Sequence, residues 1–306
     1  MISETGSISI LLMGIAKNVR GSIPSVLRNT TVYGRSFRSH KTLIVENGSS
    51  DGTKEFLKNW AHQNSNHMLI EADHMQVGRD ARNPRGPDAP LLAKFRNLYM
   101  EFIDQENSGL YPVAAIFDCD HINVYPISPS AITSAIQFLF ADRSRAGVMV
   151  NQTGFYYDIW ALRHHTWCPQ DCWVEYKAWC AKGFSHKAMW ACIGSRQVHI
   201  RSNAMPIEVD SAFGGFAIYK TEFLRGKRYQ DFTREGLVAC EHVSLHQEIR
   251  NSGGRLFVFP ALMNSTPYEH IRRPRDSYYW YIRLRETLRR QTKVFIDRLL
   301  VEPRHH

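Results

Sequence analysis

Two aspartates end an apolar stretch in the segment VAAIFDCDHINV, which covers residues 113–124. Asp118 and Asp120 are two positions apart, so in an extended chain their side chains point the same way and converge. Converging carboxylates either repel each other or share a cation, and their oxygen atoms suit a hard divalent ion such as Mn²⁺ or Mg²⁺. Aspartates are also common where strands give way to turns, because their side chains cap backbone N–H groups. The two residues alone leave both interpretations open.

Apolar and polar segments alternate over the first 125 residues as strands and helices do in α/β proteins. Strands are predicted in SISILLMGIA, KTLIVEN, HMLIEAD and VAAIF. Helices are predicted to begin near Pro24, after a cap at Ser50 or Asp51, and in LLAKFRNLYMEFIDQ. The last of these has an apolar stripe at Leu92, Phe95, Tyr99 and Phe102. This alternation predicts a mostly parallel central sheet flanked by helices.

Polar residues follow three of the predicted strands. They are Lys17 and Asn18, then Glu46 and Asn47, then Asp118 and Asp120. Ligands of parallel sheets bind outside the carboxyl ends of the strands, so these side chains are expected at one site. The sequence has no Gly-x-Gly-x-x-Gly segment and no Walker lysine, which disfavours a dinucleotide or P-loop site. A cation held by carboxylates remains as the means of neutralising a diphosphate.

The chain of 306 residues carries a net charge of +9, and most of this charge lies at its C-terminal end. Residues 271–306 hold ten Lys and Arg against four Asp and Glu, while the remainder is nearly balanced. This distribution argues against a nucleic-acid-binding domain spread over the whole chain and predicts a basic C-terminal surface that faces phosphates of a membrane or a ligand.

No segment has the about 18 to 20 unbroken apolar residues of a membrane span. The early run ISILLMGIA lacks the basic flank and cleavage site of a signal peptide, so a cytoplasmic location is expected. Four cysteines, Cys168, Cys172, Cys180 and Cys192, are spaced too widely for paired zinc ligands. Buried thiols are therefore favoured over a disulfide or a zinc site.

Five segments resemble the signatures of the GT-A glycosyltransferases, which use nucleotide sugars, and of their large inverting family in particular. The segments are LIVENGSSDGTKEF, AKFRN, FDCD, FGGFAIYKTEF and CEHVSLHQEIRNSGGRLFVFPAL, in the order found in that family. The resemblance spans residues 8–270 and implies a GT-A fold. It also implies a nucleoside diphosphate sugar as donor, with Mn²⁺ or Mg²⁺ at the aspartate pair.

The middle of the chain is also similar to the fungal capsule-associated mannosyltransferase family, through FYYDIWALR, Gly214-Gly215 and CEHV. This second resemblance favours a GDP-sugar over a UDP-sugar, with GDP-mannose as the first donor to test. Glu46 stands where the inverting family usually has aspartate, and His242 stands where it has aspartate after Glu241. These departures leave the catalytic base, and with it an inverting or retaining outcome, open.

The resemblance implies roles for the matching positions. The implied metal ligands are Asp118, Asp120 and His270, with His246 as the alternative histidine. The implied catalytic residues are Glu241, His242 and Asp158. The implied donor-binding residues are Ala16, Asn18, Glu46, Lys94, Asn97, Asp118 and Arg272.

Several of these positions also have a structural interpretation. Glu46 is otherwise a solvated carboxylate at a strand end, and His270 a surface histidine in a loop. Glu241 is either the general base or an acid placed favourably at a helix N-terminus. Asp158 either contacts a sugar or forms a buried ion pair with Arg163. Lys94 and Asn97 are either ligands or solvated helix positions.

Residues 1–270 are expected to form the catalytic domain, with a nucleotide-sugar half at 1–125 and an acceptor half at 126–270. Residues 271–306 are predicted to form a basic amphipathic helical extension. This extension either packs on the domain or contacts an anionic membrane, where a lipid-linked oligosaccharide would be the acceptor. A surface polysaccharide or another glycan is the other expected acceptor.

Two other functions would account for part of the sequence. A sugar-phosphate nucleotidylyltransferase would share the α/β order, but it needs a Gly-rich phosphate loop, and GIAKNVRG after the first strand is a poor one. A non-catalytic nucleic-acid-binding protein would account for the basic tail but would leave the aspartate pair without a role.

Overall fold

The computed structural model describes residues 5–73, 75, 89–106, 109–231 and 239–272. Within these ranges the chain forms one sheet of eight strands. The strands are β1 (Ser9–Ala16), β2 (Ser39–Glu46), β3 (His67–Glu71), β4 (Val113–Asp118), β5 (Arg145–Gln152), β6 (Ile207–Val209), β7 (Phe216–Lys220) and β8 (Arg255–Asn264). The helices are α1 (Ile23–Gly34), α2 (Thr53–His62), α3 (Ala89–Gln105), α4 (Pro129–Phe140), α5 (Cys172–Ala181), α6 (Ser185–Cys192) and α7 (Glu241–Asn251).

The sheet is mostly parallel, and its strand order is β3-β2-β1-β4-β7-β5-β8-β6. β1 to β4 pair in parallel, and β5 pairs in parallel with β8. β7 is antiparallel to both β4 and β5, and β6 is antiparallel to β8. Six strands therefore run in one direction and two in the other, so the predicted fold class is confirmed.

Alternate residues of the central strands supply two apolar layers. Leu11 and Met13 of β1 pack with residues of α3 and α7 on one face of the sheet. Ile10 and Leu12 pack with residues of α1, α2 and α4 on the other face. The period of two follows from strand geometry, and each fully buried side chain contributes about 1.5–3 kcal/mol.

The predicted start of α2 is wrong by one or two residues. The N-cap is Gly52, in the left-handed region at φ +86°. Glycine has no side chain that could accept a hydrogen bond from the first turn of the helix. The carboxylate of Asp51 accepts instead from the backbone N–H of Thr53 at 3.0 Å and from its hydroxyl at 2.6 Å. Asp51 thus satisfies a helix donor from one position before the cap, which glycine allows because it has no Cβ.

All six cysteines lie in the described residues as free thiols, and Cys180 is the single one that is not fully buried. Burial raises the pKa of the Cys119 and Cys240 thiols, so these groups are uncharged at neutral pH. The favoured interpretation, buried thiols, agrees with this arrangement.

The boundary predicted after residue 125 falls between β4 and α4, and the sheet continues across it because β7 pairs with β4 and with β5. The two halves stay a prediction. The predicted C-terminal extension lies, from residue 273 onward, outside the described residues. Within the described ranges, no helix combines the length and the apolar composition needed to cross a membrane.

Candidate active site

A cavity of about 760 Å³ opens at the carboxyl ends of β1, β2 and β4. The last residues of these strands and the loops that follow them contribute Ala16, Lys17, Asn47, Asp118, Cys119 and Asp120 to its wall. The opposite wall comes from α3, the start of α7 and the segments at 157–160 and 270–272. The predicted meeting of three loops at one edge of the sheet therefore occurs.

Asp118 and Asp120 both face this cavity. Asp118 Oδ1 accepts from Arg96 Nη2 at 3.0 Å, and Asp120 Oδ1 accepts from the backbone N–H of Ile122 at 3.0 Å. Asp120 is thus an N-cap, as the structural interpretation predicts, and it also lines the cavity. Among the described residues, no donor occupies the Oδ2 atom of either side chain, so one oxygen of each remains available.

Arg96 of α3 joins the two acidic parts of the site. Its guanidinium donates to Asp118, to Glu241 Oε1 at 3.0 Å and to the Tyr99 hydroxyl at 3.2 Å. The side chain is 3% exposed, and its charged carbon lies 5.0 Å from the centre of the Phe213 ring. Arg96 is not among the predicted site residues, which include its neighbours Lys94 and Asn97 instead. The available signal was an arginine inside the apolar stripe, four residues after Leu92 and three before Tyr99.

Burial in the cavity wall raises the pKa of the Asp118 carboxyl to about 7, and the Asp120 charge adds to this effect. The Arg96 cation acts in the opposite direction. The carboxyl is therefore balanced between its charged and neutral forms near neutral pH, and a nearby cation would favour the charged form.

Glu241 is the first residue of α7 and faces the cavity with 2% of its surface exposed. One carboxylate oxygen accepts from Arg96, and the Cys240 thiol donates to the other at 3.6 Å. Its position at a helix N-terminus also fits the structural interpretation, because the helix dipole favours a negative charge there. Glu241 therefore lies in the cavity wall, as a general base must, and also at a helix N-terminus, as the structural interpretation expects.

His242 lies beside Glu241 in the cavity wall, and its ring stacks on Phe213 with centroids 3.7 Å apart. Burial and the Arg96 charge hold the pKa of His242 well below its usual range, so the ring is neutral. Neither ring nitrogen has a hydrogen-bond partner among the described residues. A buried and unpaired imidazole at a cavity wall is costly unless a ligand pairs with it.

Asp158 also lines the cavity. The alternative prediction, a buried ion pair between Asp158 and Arg163, is wrong. Asp158 accepts from the backbone N–H of Gly214 at 2.9 Å and of Ala161 at 3.2 Å. Arg163 instead pairs with Asp171 at 2.5 Å. Burial raises the pKa of Asp158, although the two backbone donors oppose this rise.

The Gly214-Gly215 pair holds the two halves of the site together. Both residues have positive φ, 72° and 88°, and a Cβ at Gly214 would lie 2.6 Å from the Gln152 amide nitrogen. The Gly215 carbonyl accepts from the Asp118 N–H at 2.9 Å, while the Gly214 N–H holds Asp158. A glycine pair is therefore required where the ends of β4 and β7 meet Asp158.

Four predicted donor-binding residues do not line the cavity: Asn18, Glu46, Lys94 and Asn97. Glu46 is fully buried and accepts from the N–H groups of Gly48 and Ser49 at 3.2 and 2.6 Å. Asn18 accepts from Ser50, Asn97 holds the backbone of Tyr229 in both directions, and Lys94 is exposed on α3. The side chains of Glu46, Asn18 and Asn97 thus hold loops in place by hydrogen bonds to backbone groups. Ala16, Asp118 and Arg272 of the same set do line the cavity.

His270 and Arg272 line the cavity together, and the His270 ring stacks on Tyr157 with centroids 5.8 Å apart. Within the described ranges, no three His, Cys, Asp or Glu side chains are grouped closely enough to hold a metal ion. The role of His270 as a third ligand therefore stays a prediction. Its alternative, His246, is fully buried between the hydroxyls of Ser211 and Tyr219, each at 2.8 Å.

Replacing Arg96 by Met is expected to lower the free energy of unfolding by about 3 kcal/mol at pH 8, because the buried Glu241 and the partly buried Asp118 lose their cation. Without Arg96, whose charge opposes the effect of burial, the folded-state pKa of Asp118 would rise further above that of the unfolded chain. Protonation then relieves the cost, so the loss should shrink as the pH falls from 8 to 5. Denaturant unfolding at both pH values measures this change.

Arg255→Met is the matched control, since Arg255 pairs with Glu208 and Asp142 but is 43% exposed. Such surface pairs contribute about 1 kcal/mol or less. An Arg96→Met loss as small as that of the control, or one that does not change with pH, would contradict the bridging role.

No protein-family model and no curated protein sequence matches this chain. Among solved structures, it is 16% identical to the mannosyltransferase PcManGT from Pyrobaculum calidifontis, solved with GDP-Man and Mn²⁺. That match covers 96% of this chain and 65% of the other, with a TM-score of 0.47. S. aureus TarS in complex with UDP-GlcNAc is 12% identical over 84% of this chain and 57% of its own, with a TM-score of 0.49.

This chain thus spans less than two thirds of the length of either protein. Both proteins were solved in complex with a nucleotide sugar.

Proposed function

We propose that this chain is a metal-dependent glycosyltransferase that moves a sugar from a nucleoside diphosphate sugar to a glycan acceptor. The observation that carries the proposal is the shared cavity of Asp118, Asp120 and Glu241, with Arg96 bridging the first and the last. Five glycosyltransferase-like segments in family order add support, because three of them supply these residues.

Asp118 and Asp120 can supply two of the ligands of a divalent metal ion. Asp118 and Asp120 each present a carboxylate oxygen that no described residue occupies, and oxygen ligands suit Mn²⁺ and Mg²⁺. A divalent ion held there would stabilise the negative charge that grows on the departing diphosphate. Arg272 and Lys17 line the same cavity and supply protein cations for the phosphates.

Glu241 is the group best placed to take the proton from the acceptor hydroxyl. Its carboxylate faces the cavity, and the Arg96 contact orients it. His242 is neutral, so its unpaired ring nitrogens can hydrogen-bond to a sugar hydroxyl without a cost in charge. The two side chains together can orient an acceptor and deprotonate it.

Aromatic side chains line the remaining wall of the cavity: Tyr157, Trp160, Trp173 and Phe213. The apolar C–H faces of sugar rings pack on aromatic surfaces, which supports a glycan as the acceptor. GDP-mannose is the donor we favour, on the likeness of FYYDIWALR, Gly214-Gly215 and CEHV to mannosyltransferase segments.

Isothermal titration with a panel of GDP-, UDP- and other nucleotide sugars, with and without Mn²⁺, tests the proposal. One donor is expected to bind in the micromolar to millimolar range, and excess chelator should weaken it at least about tenfold. Released nucleoside diphosphate then reports turnover with candidate glycans. Absence of binding by every nucleotide sugar, or release of pyrophosphate from a nucleoside triphosphate and a sugar phosphate, would contradict the proposal.

A further inference from the structure

The helices α5 and α6 form a hairpin that packs on the core by part of its apolar surface and exposes several other apolar side chains. Val174, Trp179, Phe184 and Trp190 are 41, 39, 49 and 40% exposed, and they are four of the nine large exposed apolar side chains in the described residues. Among the described side chains of the two helices, only Cys172, Ala188 and Cys192 are buried. A helix with this much apolar surface is normally covered.

The tip of the hairpin projects from the protein. Every residue of the segment 177–185 except Cys180 is exposed, and Gly183 turns the chain with φ +85°. The rings of Trp179 and Phe184 meet edge to face across this turn, with centroids 6.1 Å apart. The two exposed aromatic rings are thus in contact with each other at the turn.

The hairpin also carries exposed positive charges. Lys177 and Lys182 on one side of the turn and Lys187 on the other are all exposed. The single acidic residue between 172 and 192, Glu175, pairs with Arg196 at 2.5 Å. The three lysines are therefore not neutralised by an acidic side chain of these two helices. We define the hairpin surface as these lysines together with Val174, Trp179, Phe184 and Trp190.

We propose that the hairpin surface docks onto an anionic membrane. Tryptophan and lysine suit this boundary, because each has an apolar body that enters the interface and a polar end that stays in water. Anionic headgroups also complement the three lysines. A second copy of the chain would bring the same lysines against them, and like charges repel. Residues 273–306 carry nine Lys and Arg against four Asp and Glu, so they repel this surface as well.

The hairpin is continuous with the cavity. Cys172 and Trp173, at the start of α5, and Ile193, directly after α6, line the cavity wall. Docking would therefore place that wall beside the bilayer. Where the proposed glycosyl transfer holds, this position gives the cavity access to a lipid-linked acceptor, whereas membrane docking by itself does not rest on that function.

Flotation of the full chain with vesicles tests the docking. We expect binding at low salt to vesicles of phosphatidylcholine with about one third phosphatidylserine, and none to pure phosphatidylcholine. Lys177→Glu with Lys182→Glu should weaken binding at least about 30-fold, the change expected when two basic residues are lost at an anionic surface. Trp179→Ala with Phe184→Ala should weaken it at constant charge.

Lys58→Glu with Arg143→Glu is the matched control, because it makes the same charge change at exposed residues of α2 and the α4–β5 loop, on the other face of the sheet. Equal losses in hairpin and control variants would reduce the effect to net charge and overturn the proposal. So would failure of the intact chain to bind anionic vesicles. A dimer that Phe184→Ala dissociates, or vesicle binding that arises only after residues 273–306 are removed, would assign the surface to another occupant.

Unchanged circular dichroism of each variant excludes unfolding as the cause of a loss. Calorimetry with the nucleotide sugar separates the two proposals, since docking variants should bind the donor normally. Docking without donor binding would refute the proposed function and leave the membrane surface intact.

Discussion

Asp120→Asn is expected to lower turnover at least about 10³-fold and to leave the free energy of unfolding within about 1 kcal/mol of the native value. The large effect follows because a carboxylate at the ion site stabilises charge on the leaving diphosphate, which is worth several kcal/mol. The small effect on stability follows because asparagine Oδ1 can still accept from the Ile122 N–H. Asp120 is a cleaner target than Asp118, whose carboxylate is also paired with Arg96.

Two measurements check this result. Electron paramagnetic resonance of Mn²⁺ reports ion binding without turnover, and it should show weaker binding by Asp120→Asn. The control is Asp210→Asn, which removes the carboxylate charge from the exposed pair with Arg250 and should change neither quantity. Full activity of Asp120→Asn, or of the native chain in excess chelator, would contradict the proposal that Asp120 binds a metal ion needed for turnover.

Glu241→Gln is expected to lower turnover about 10²–10⁴-fold while donor affinity stays nearly unchanged. Glutamine keeps the size of the side chain and an oxygen for Arg96 Nε, but it cannot take a proton. A loss confined to turnover identifies an interaction made in the transition state. If Glu241 only caps α7, the variant should instead show near-normal rates and a small decrease in stability.

Glu248→Gln provides the comparison on the same helix, since Glu248 lies in α7 but not in the cavity wall. Its rates should match those of the native chain. The anomeric configuration of the product, read by NMR, then assigns inversion or retention. Near-normal turnover by Glu241→Gln would transfer the base role to His242 or remove it.

The alternation of strands and helices could be predicted from the sequence because it depends on neighbours two to four residues apart. The stripe of α3 and the aspartates at the end of β4 were placed by this local periodicity. The loops after β1, β2 and β4 were also placed correctly at one edge, because parallel strands share a direction. The resemblance to known motifs identified Glu241 and Asp158 as further cavity residues.

Side-chain partners could not be predicted in the same way. Glu46, Asn18 and Asn97 carry the residue types expected of ligands, yet each is occupied by the backbone of a loop. The choice between a ligand and a loop contact depends on a few ångströms of loop geometry. Local sequence does not encode such distances.

The local pattern thus determined the strands, the helices and the edge of the sheet where the aspartates stand. Only the tertiary structure decided that Arg96 would bridge residues 22 and 145 positions away, Asp118 and Glu241. It also decided that β7 would enter the sheet antiparallel between β4 and β5. It decided as well that the α5–α6 hairpin would expose several of its apolar side chains. The physical reason is that these features depend on which distant elements pack together, since burial and charge pairing act across the folded chain and have no period along it.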